Sequence, residues 1–495
     1  MTYGSNKMNF NKKLAVALSG ALMLMAGSSV QADSTTDIVD ALVMKGVLTE
    51  EEGRLITKGH TSKAEKTPVM KEKDKNFTIE SANGENSISL TGRVHFDGRA
   101  YDYSRADNSN AAASSIGADT FDIRRARIGL KYKFGKYYSG EISANTVGTS
   151  QDVLDVGYLD VAWFEKAKFR LGQFKMPFSL EQLTSSNNID FIERSFLDSF
   201  IPAKERGLQV FGEPVPGTTY ALAFSNGTTA TGSNVTGAEA DNRVDNKDII
   251  GRATINFAEL MKNKEAVLHL GGAFSAGDSP IGTGFGTFRT EARGATYFTQ
   301  PVIATTNTAD KTLDRRRFNM EFAAASGPYK IQTQYVTVDH EFEVPTSASA
   351  ATPMDAKVKT YYLEGLWTLT GEKHADRYKA GAFGGIKPNQ EFDTSTMSGG
   401  AWEVGARLSG MDATDFNDSS LGTVVTNAMS TAATGFLKAK AYTVGIKFVP
   451  NMNTRFMLDF VNTQFESPFQ ATSLTVNGRS VSHENAVLFR TQFMF

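Results

Sequence analysis

The chain has 495 residues, a formal net charge of −2, 40% hydrophobic and 11% aromatic residues, and no cysteine. A near-neutral balance gives no bulk attraction for nucleic acid, and the missing cysteines exclude a disulfide framework and any thiolate metal site. The 34 Phe against 15 Tyr and 3 Trp, with 44 Gly, suit a wall that alternates between lipid and water better than the core of a soluble enzyme.

Residues 1–32 read as a secretory leader. Lys7, Lys12 and Lys13 form its basic start, Leu14 to Gly27 its apolar core, and Val30-Gln31-Ala32 a small-residue cleavage site. Cleavage after Ala32 removes three lysines and takes the net charge to −5. No other run of about 18 uncharged apolar residues occurs, so membrane insertion must use strands.

Residues 36–60, within a segment 33–76, differ from the rest. Ile38, Val39, Leu42 and Val43 have helical spacing, and Thr49 followed by Glu52 predicts a capping box opening a second helix through Leu55 and Ile56. The Lys/Glu-rich stretch 61–76 reads as a linker. The whole segment is expected in the periplasm, either as a lead-in to assembly or as a binding module.

From residue 77 the period becomes two. Ile88, Leu90, Val94 and Phe96 alternate with Arg93, His95, Asp97 and Arg99. A polar loop covers 103–119. Then Ala126, Ile128, Leu130, Tyr132 and Phe134 share one face, with Arg125, Arg127, Lys131 and Lys133 on the other, before a short turn at Gly135-Lys136. Phe169 and Leu171 alternate with Lys168 and Arg170; Tyr220, Leu222 and Phe224 form a further strand. Tyr442, Val444, Ile446 and Phe448 precede a turn at 450–453, and Phe456, Leu458 and Phe460 return opposite Arg455 and Asp459. Segments 228–247, 276–312, 341–356 and 411–434 read as long extracellular loops. The chain closes with Val487, Phe489, Thr491, Phe493 and Phe495 on one parity and Arg490 and Gln492 on the other. Long loop, strand, short turn, strand is the rhythm of a transmembrane antiparallel β-barrel. Residues 77–495 accommodate about 16 strands, with 14 or 18 as alternatives. The terminal Phe495 resembles the signal read by the outer-membrane assembly machinery.

A wide barrel encloses water, and the charge at its constriction sets ion preference. Arg93, Arg99, Arg124, Arg125, Arg127, Lys131 and Lys133 are the expected basic pore lining. Arginine suits oxyanions because its planar fork binds two oxygens. Arg124 has the lipid-facing parity, which predicts a place near the loop end of its strand. Residues 174–205 are too long for a turn and mix Phe178, Phe191, Phe196 and Phe200 with few charges. Such a loop must pack against something, and folding into the barrel mouth meets that need. Its charged and polar candidates are Lys175, Gln182, Glu193 and Arg194, the last two read equally as a structural ion pair.

Several motifs, in order, resemble the bacterial phosphate-selective porin O and P family. They are Ile123-Arg-Arg-Ala-Arg-Ile128, Leu171-Gly-Gln-Phe-Lys-Met-Pro-Phe-Ser-Leu-Glu181, Thr184-Ser-Ser186, Glu193-Arg-Ser195, Phe224-Ser-Asn-Gly227 and Lys247-Asp-Ile-Ile-Gly-Arg252. Leu369-Thr-Gly-Glu372, Phe383 through Pro388, Gly400-Ala-Trp-Glu403 with Arg407, and Phe495 complete the series. The resemblance implies a trimeric barrel whose third loop narrows the pore, with anions passing over a basic lumen. Gln182 stands where phosphate-specific members carry a loop Lys, and Tyr137, Tyr138 and Ser139 replace an expected Trp-Lys pattern. Both departures point to a general porin with modest anion preference, in contact with outer-membrane lipid and lipopolysaccharide. A plugged adhesive barrel and a barrel lipid hydrolase are the alternatives. The six His lack metal-ligand spacing, and Gly282, Gly284 and Gly286 lack the Lys-Ser/Thr of a phosphate loop, so neither metal nor cofactor is expected. Glu239, Asp241, Asp245 and Asp248 read as a solvated loop before a Ca²⁺ site.

Overall fold

The computed structural model describes residues 34–64, 67–73, 76–103, 117–147, 153–227, 247–280, 287–299, 312–347, 350–417, 435–469, 475–476 and 479–495. The expected leader, its cleavage site, and Gly282, Gly284, Gly286, Glu239, Asp241 and Asp245 lie outside this set. Two compact units are present. In the first, helices α1 (Ser34–Met44) and α2 (Glu50–Ala64) form a hairpin. The capping box is made as expected: the Thr49 N–H donates to Glu52 at 2.9 Å and the Glu52 N–H to Thr49 Oγ1 at 3.2 Å. Gly53 admits the α1 side chains, since a Cβ there would lie 2.6 Å from Val43. The expected linker is partly structured: α2 runs to Ala64, and Val69–Lys73 pairs with Asn76–Glu80, tied by Lys71 to Glu80 at 3.3 Å.

The second unit is a closed antiparallel barrel of sixteen strands. Its first half comprises β1 (Ser87–Tyr103), β2 (Thr120–Phe134), β3 (Tyr138–Asn145), β4 (Leu154–Val161), β5 (Lys168–Lys175), β6 (Lys204–Gly212), β7 (Thr218–Ser225) and β8 (Asp248–Asn256). The second half comprises β9 (Ala266–Pro280), β10 (Thr312–Ser326), β11 (Tyr329–Ser347), β12 (Ala350–Thr368), β13 (Ala401–Asp412), β14 (Gly435–Asn451), β15 (Thr454–Phe469) and β16 (His483–Met494). Neighbours in sequence pair, and β16 returns to β1 with Arg490 opposite Asp97, so no edge remains. Beyond β16, Phe495 exchanges backbone hydrogen bonds with Gly92, and its ring lies so close over Gly92 that no Cβ would fit.

The alternation is inverted relative to a soluble protein. On β10, Phe318 and Met320 are 55% and 68% exposed, while Arg315, Arg317, Asn319 and Glu321 are buried. Apolar side chains outside and polar ones inside require lipid around the cylinder and polar partners within. One end carries short turns such as 135–137, 327–328 and 452–453, with 369–400 as a long exception; the other carries most of the long connections. By that asymmetry the short-turn end is periplasmic. Two loop expectations change. Residues 341–347 and 350–356 continue the β11–β12 hairpin, with Phe342 opposite Met354 and Val344 opposite Thr352. Segment 276–312 begins inside β9, and its residues 287–299 fold into the barrel as a small hairpin pairing Phe288 with Phe298.

The inserts pack an apolar core inside the barrel. Phe178, Ile192, Phe196 and Phe200 of loop 176–203 meet Phe288, Tyr297 and Phe298 of the second insert, and both rest on Val336, Met457, Val461 and Phe465 of the far wall. Phe200 stacks on Phe288 at 4.5 Å between centroids, and Phe196 meets Tyr297 edge-on at 5.5 Å. Apolar burial on this scale is what fixes the two inserts.

Candidate functional site: a basic passage along one wall

The arginine strand β2 contains a change of phase. Phe121 points out, 79% exposed and stacked on Phe96, and Ile123 shares that face. Further along, Leu130 and Phe134 point out while Arg125 and Arg127 turn inward. Arg124 and Arg125 are therefore consecutive residues on the inward side, where the facing of the strand changes between Ile123 and Leu130. The lipid-facing parity of Arg124 is undone by this shift, and its Nε donates to Glu193 at 2.7 Å.

Glu193 is the electrostatic centre of the third loop. It takes Arg124 from β2, Arg99 from β1 at 3.3 Å and Arg490 from β16 at 3.4 Å. Burial pushes its carboxyl up, and Arg124, Arg125 and Arg490 overcome that, holding it well below the usual range. The Glu193–Arg194 pair does not form. Arg194 donates instead to the carbonyls of Glu181 and Thr184 and lies 3.7 Å from Asp198. Lys175 donates to the Thr184 carbonyl at 3.1 Å and to that of Gln182 at 2.5 Å, closing the end of a one-turn helix, Leu180–Leu183. Arg407 of β13 ties both inserts together: it donates to the Glu193 carbonyl at 3.1 Å and to Glu291 at 2.9 Å, and Glu291 also receives the Phe196 N–H.

A third segment enters from the periplasmic end. Residues 369–400 join β12 to β13 and bury Phe383 and Ile386. Arg252 donates to the Gly381 carbonyl at 2.8 Å, Tyr378 meets His269 at 2.7 Å, and Arg377 holds Glu403 at 3.0 Å. Sequence reading passed over this insert. Its signal was the one that located the third loop: a connection too long for a turn, carrying buried aromatics.

Between the inserts and the inner faces of β1–β8 lies a cavity of about 1850 Å³. It runs from Arg289 and Arg293 of the second insert to Lys166 and Pro214–Pro216 of the periplasmic turns. Among the described residues, fourteen lysines and arginines line it against seven carboxylates, so the wall is cationic whatever the net charge of the chain. Of the expected residues, Arg93, Arg124, Arg125, Arg127, Lys131, Lys175, Gln182, Glu193 and Arg194 line it. Arg99 does not: it is almost fully buried, held by Asp97 at 2.7 Å and by Glu193. Lys133 sits past the lining, beside the turn at Gly135.

The lining cations differ in freedom. Arg127 and Lys204 share Asp155, and Arg170 forks onto Asp160 beneath the Tyr158 ring. Arg93 donates to Ser186 Oγ at 2.7 Å. Arg125 is buried with its Nη1 lacking a hydrogen-bond partner among the described residues. Arg289, Arg293, Lys166 and Arg252 were not singled out from sequence, because they sit on an insert, a turn and a strand without clear alternation. A narrow low-dielectric mouth concentrates the field of such groups, so a local excess governs passing ions.

Known proteins resemble this chain in sequence over most of its length. A profile described as phosphate-selective porin O and P matches residues 88–495. Porin O of Pseudomonas aeruginosa is 24% identical over 441 residues, which is 84% of this chain and 90% of that protein. Solved structures with similar folds include an anion-selective porin from Comamonas acidovorans (12% identity, 83% of this chain and 100% of that one, TM-score 0.45). Another is the outer membrane channel DcaP of Acinetobacter baumannii (10% identity, 83% and 98%, TM-score 0.47). With the family profile covering the whole barrel from its first strand to its last residue, the chain belongs to the phosphate-selective porin O and P family of outer-membrane channels.

Proposed function

We propose that the protein is a passive channel for small hydrophilic solutes with a modest preference for anions, phosphate among them. The excess of cationic over acidic side chains along the passage carries this reading. Arg93, Arg124, Arg125, Arg127 and Lys131 form the selective wall, with Lys175, Gln182, Glu193 and Arg194 shaping the constriction. Gln182, uncharged on the lining, is the reason the preference is general: it donates a hydrogen bond but adds no field. Many lining cations are already neutralised by Asp155, Asp160 or Glu193, which supports weak binding and fast passage. The mature chain begins after Ala32, residues 33–76 stay in the periplasm, and Phe495 presents the assembly signal. The barrel works as a homotrimer in contact with phospholipid and lipopolysaccharide. Planar-bilayer recording of the refolded mature protein in a salt gradient tests the preference. The reversal potential should report anion over cation permeability, and added phosphate should reduce chloride current only shallowly. A cation-selective potential overturns the reading, and deep block by low phosphate restores a dedicated phosphate site. Absence of any conductance would favour a structural barrel instead.

A further inference from the structure

A groove of about 770 Å³ indents the outer face of the barrel near its periplasmic end. Strand register builds it. Ala324, Ile331, Gly365, Ala406 and Val444 are successive cross-strand partners on β10 to β14. Three of these five are Ala or Gly, whereas the adjoining row toward the loops is Phe322, Thr333, Leu363, Leu408 and Tyr442. On the turn side, Tyr329 and Trp367 stack at 6.0 Å and wall the depression. A Cβ on Gly365 would meet nothing within 4 Å, so the floor is open above it. Five strands at roughly 4.8 Å spacing give a length of about 19 Å, comparable with the roughly 15 Å half-thickness of a bilayer core.

The fold itself says what covers this surface. Ile331, Trp367 and Val444 are 43%, 46% and 60% exposed on the face that meets hydrocarbon. Small residues let an apolar partner approach the backbone closely, which is how packing is gained where burial from water is not at stake. At the periplasmic end the groove reaches Ala266, directly after the exposed Lys264 and Glu265. Lys373 pairs with Glu265 at 2.5 Å, and the next residue, His374, donates its N–H to the Gly327 carbonyl in the turn beside Tyr329. Lysine, glutamate and lysine thus border the end of an apolar trough. That order suits a headgroup carrying a phosphodiester and an ammonium.

We propose that this groove is a binding site for one periplasmic-leaflet phospholipid with a zwitterionic headgroup. Its acyl chain lies across Gly365 and Ala406, its phosphate meets Lys264 and Lys373, and its ammonium meets Glu265. Native mass spectrometry of the detergent-purified mature protein with added phosphatidylethanolamine tests it. The wild type should carry one bound lipid per chain through mild activation. Gly365→Leu and Ala406→Leu, which fill the trough from outside the channel, should each cut the bound fraction at least fivefold with conductance unchanged. Lys373→Gln should weaken retention less. No retained lipid in the wild type, or equal retention after both fillings, overturns the proposal. Loss of oligomers in the filled variants also overturns it, giving the groove to a second copy of the chain. Should Gly365→Leu fail to fold, Ala406→Leu alone decides.

Discussion

Arg125→Ala separates selectivity from stability. Arg125 is buried on the passage, and its Nη1 has no hydrogen-bond partner among the described residues. An ion taken out of water costs several kcal/mol unless it is fully paired, and the share of Arg125 in holding Glu193 ionised offsets part of that cost, so its removal should leave barrel stability close to the wild-type value. Its field on passing ions is a different matter. A unit charge about 6 Å from an ion contributes roughly 0.7 kcal/mol in water-like surroundings and roughly 3 kcal/mol at an effective dielectric of about 20. Even the lower value is about threefold in anion occupancy. The anion-to-cation permeability ratio, read from reversal potentials in a salt gradient, should fall at least about threefold, while thermal unfolding in detergent stays close to the wild-type midpoint. An unchanged ratio with wild-type conductance would refute the assignment of the selective wall to β2.

Glu193→Gln should behave oppositely. It leaves Arg99, Arg124 and Arg490 around a neutral group, and breaking a buried ion cluster from one side costs about 3–5 kcal/mol. Denaturant unfolding of the refolded variant measures this. Because the folded pKa of Glu193 is depressed, its share of stability is present above the ordinary glutamate value of 4.5 and is lost as pH falls below it toward the folded value; the variant should lack that acid-sensitive component. Phe200→Ala removes the ring stacked on Phe288 and should cost about 3–5 kcal/mol, with larger or noisier single-channel currents as the inserts loosen. Gly92→Val should impair barrel assembly, scored by heat-dependent gel mobility, because the Phe495 ring occupies the space a side chain needs.

The barrel was legible because strand parity is a strict code: Phe456, Leu458 and Phe460 face out, and Arg455 and Asp459 face in, as their spacing requires. The capping box at Thr49 and Glu52 was legible for the same reason, since its geometry is local. The direction of Arg124 was not, because the facing changes between Ile123 and Leu130 and no Gly or Pro stands between Ile123 and Ile128 to mark it. Arg99 carried the right parity and still stands off the passage, since Asp97, two residues earlier on the same face, and Glu193 from the third loop capture it. Much of the long loop expected at 341–356 is paired strand, because cross-strand pairing continues through 341–347 and 350–356, a non-local choice. The inward course of 287–299 and 369–400 depends on partners far away, such as Arg407 for Glu291 and His269 for Tyr378, and no short-range pattern encodes it.

The central claim is that solutes pass along the cavity on the β1–β8 wall and not through the apolar core that the inserts build with the far wall. The absence of native cysteine makes this directly measurable. Single Cys at Lys131 and at Val461, on the two sides of the inserts, should respond differently to a water-soluble, charged thiol reagent during current recording. Lys131→Cys should lose conductance within the exposure, and Val461→Cys should remain unmodified and fully conducting. Rapid block through Val461→Cys, or none through Lys131→Cys, would place the passage elsewhere.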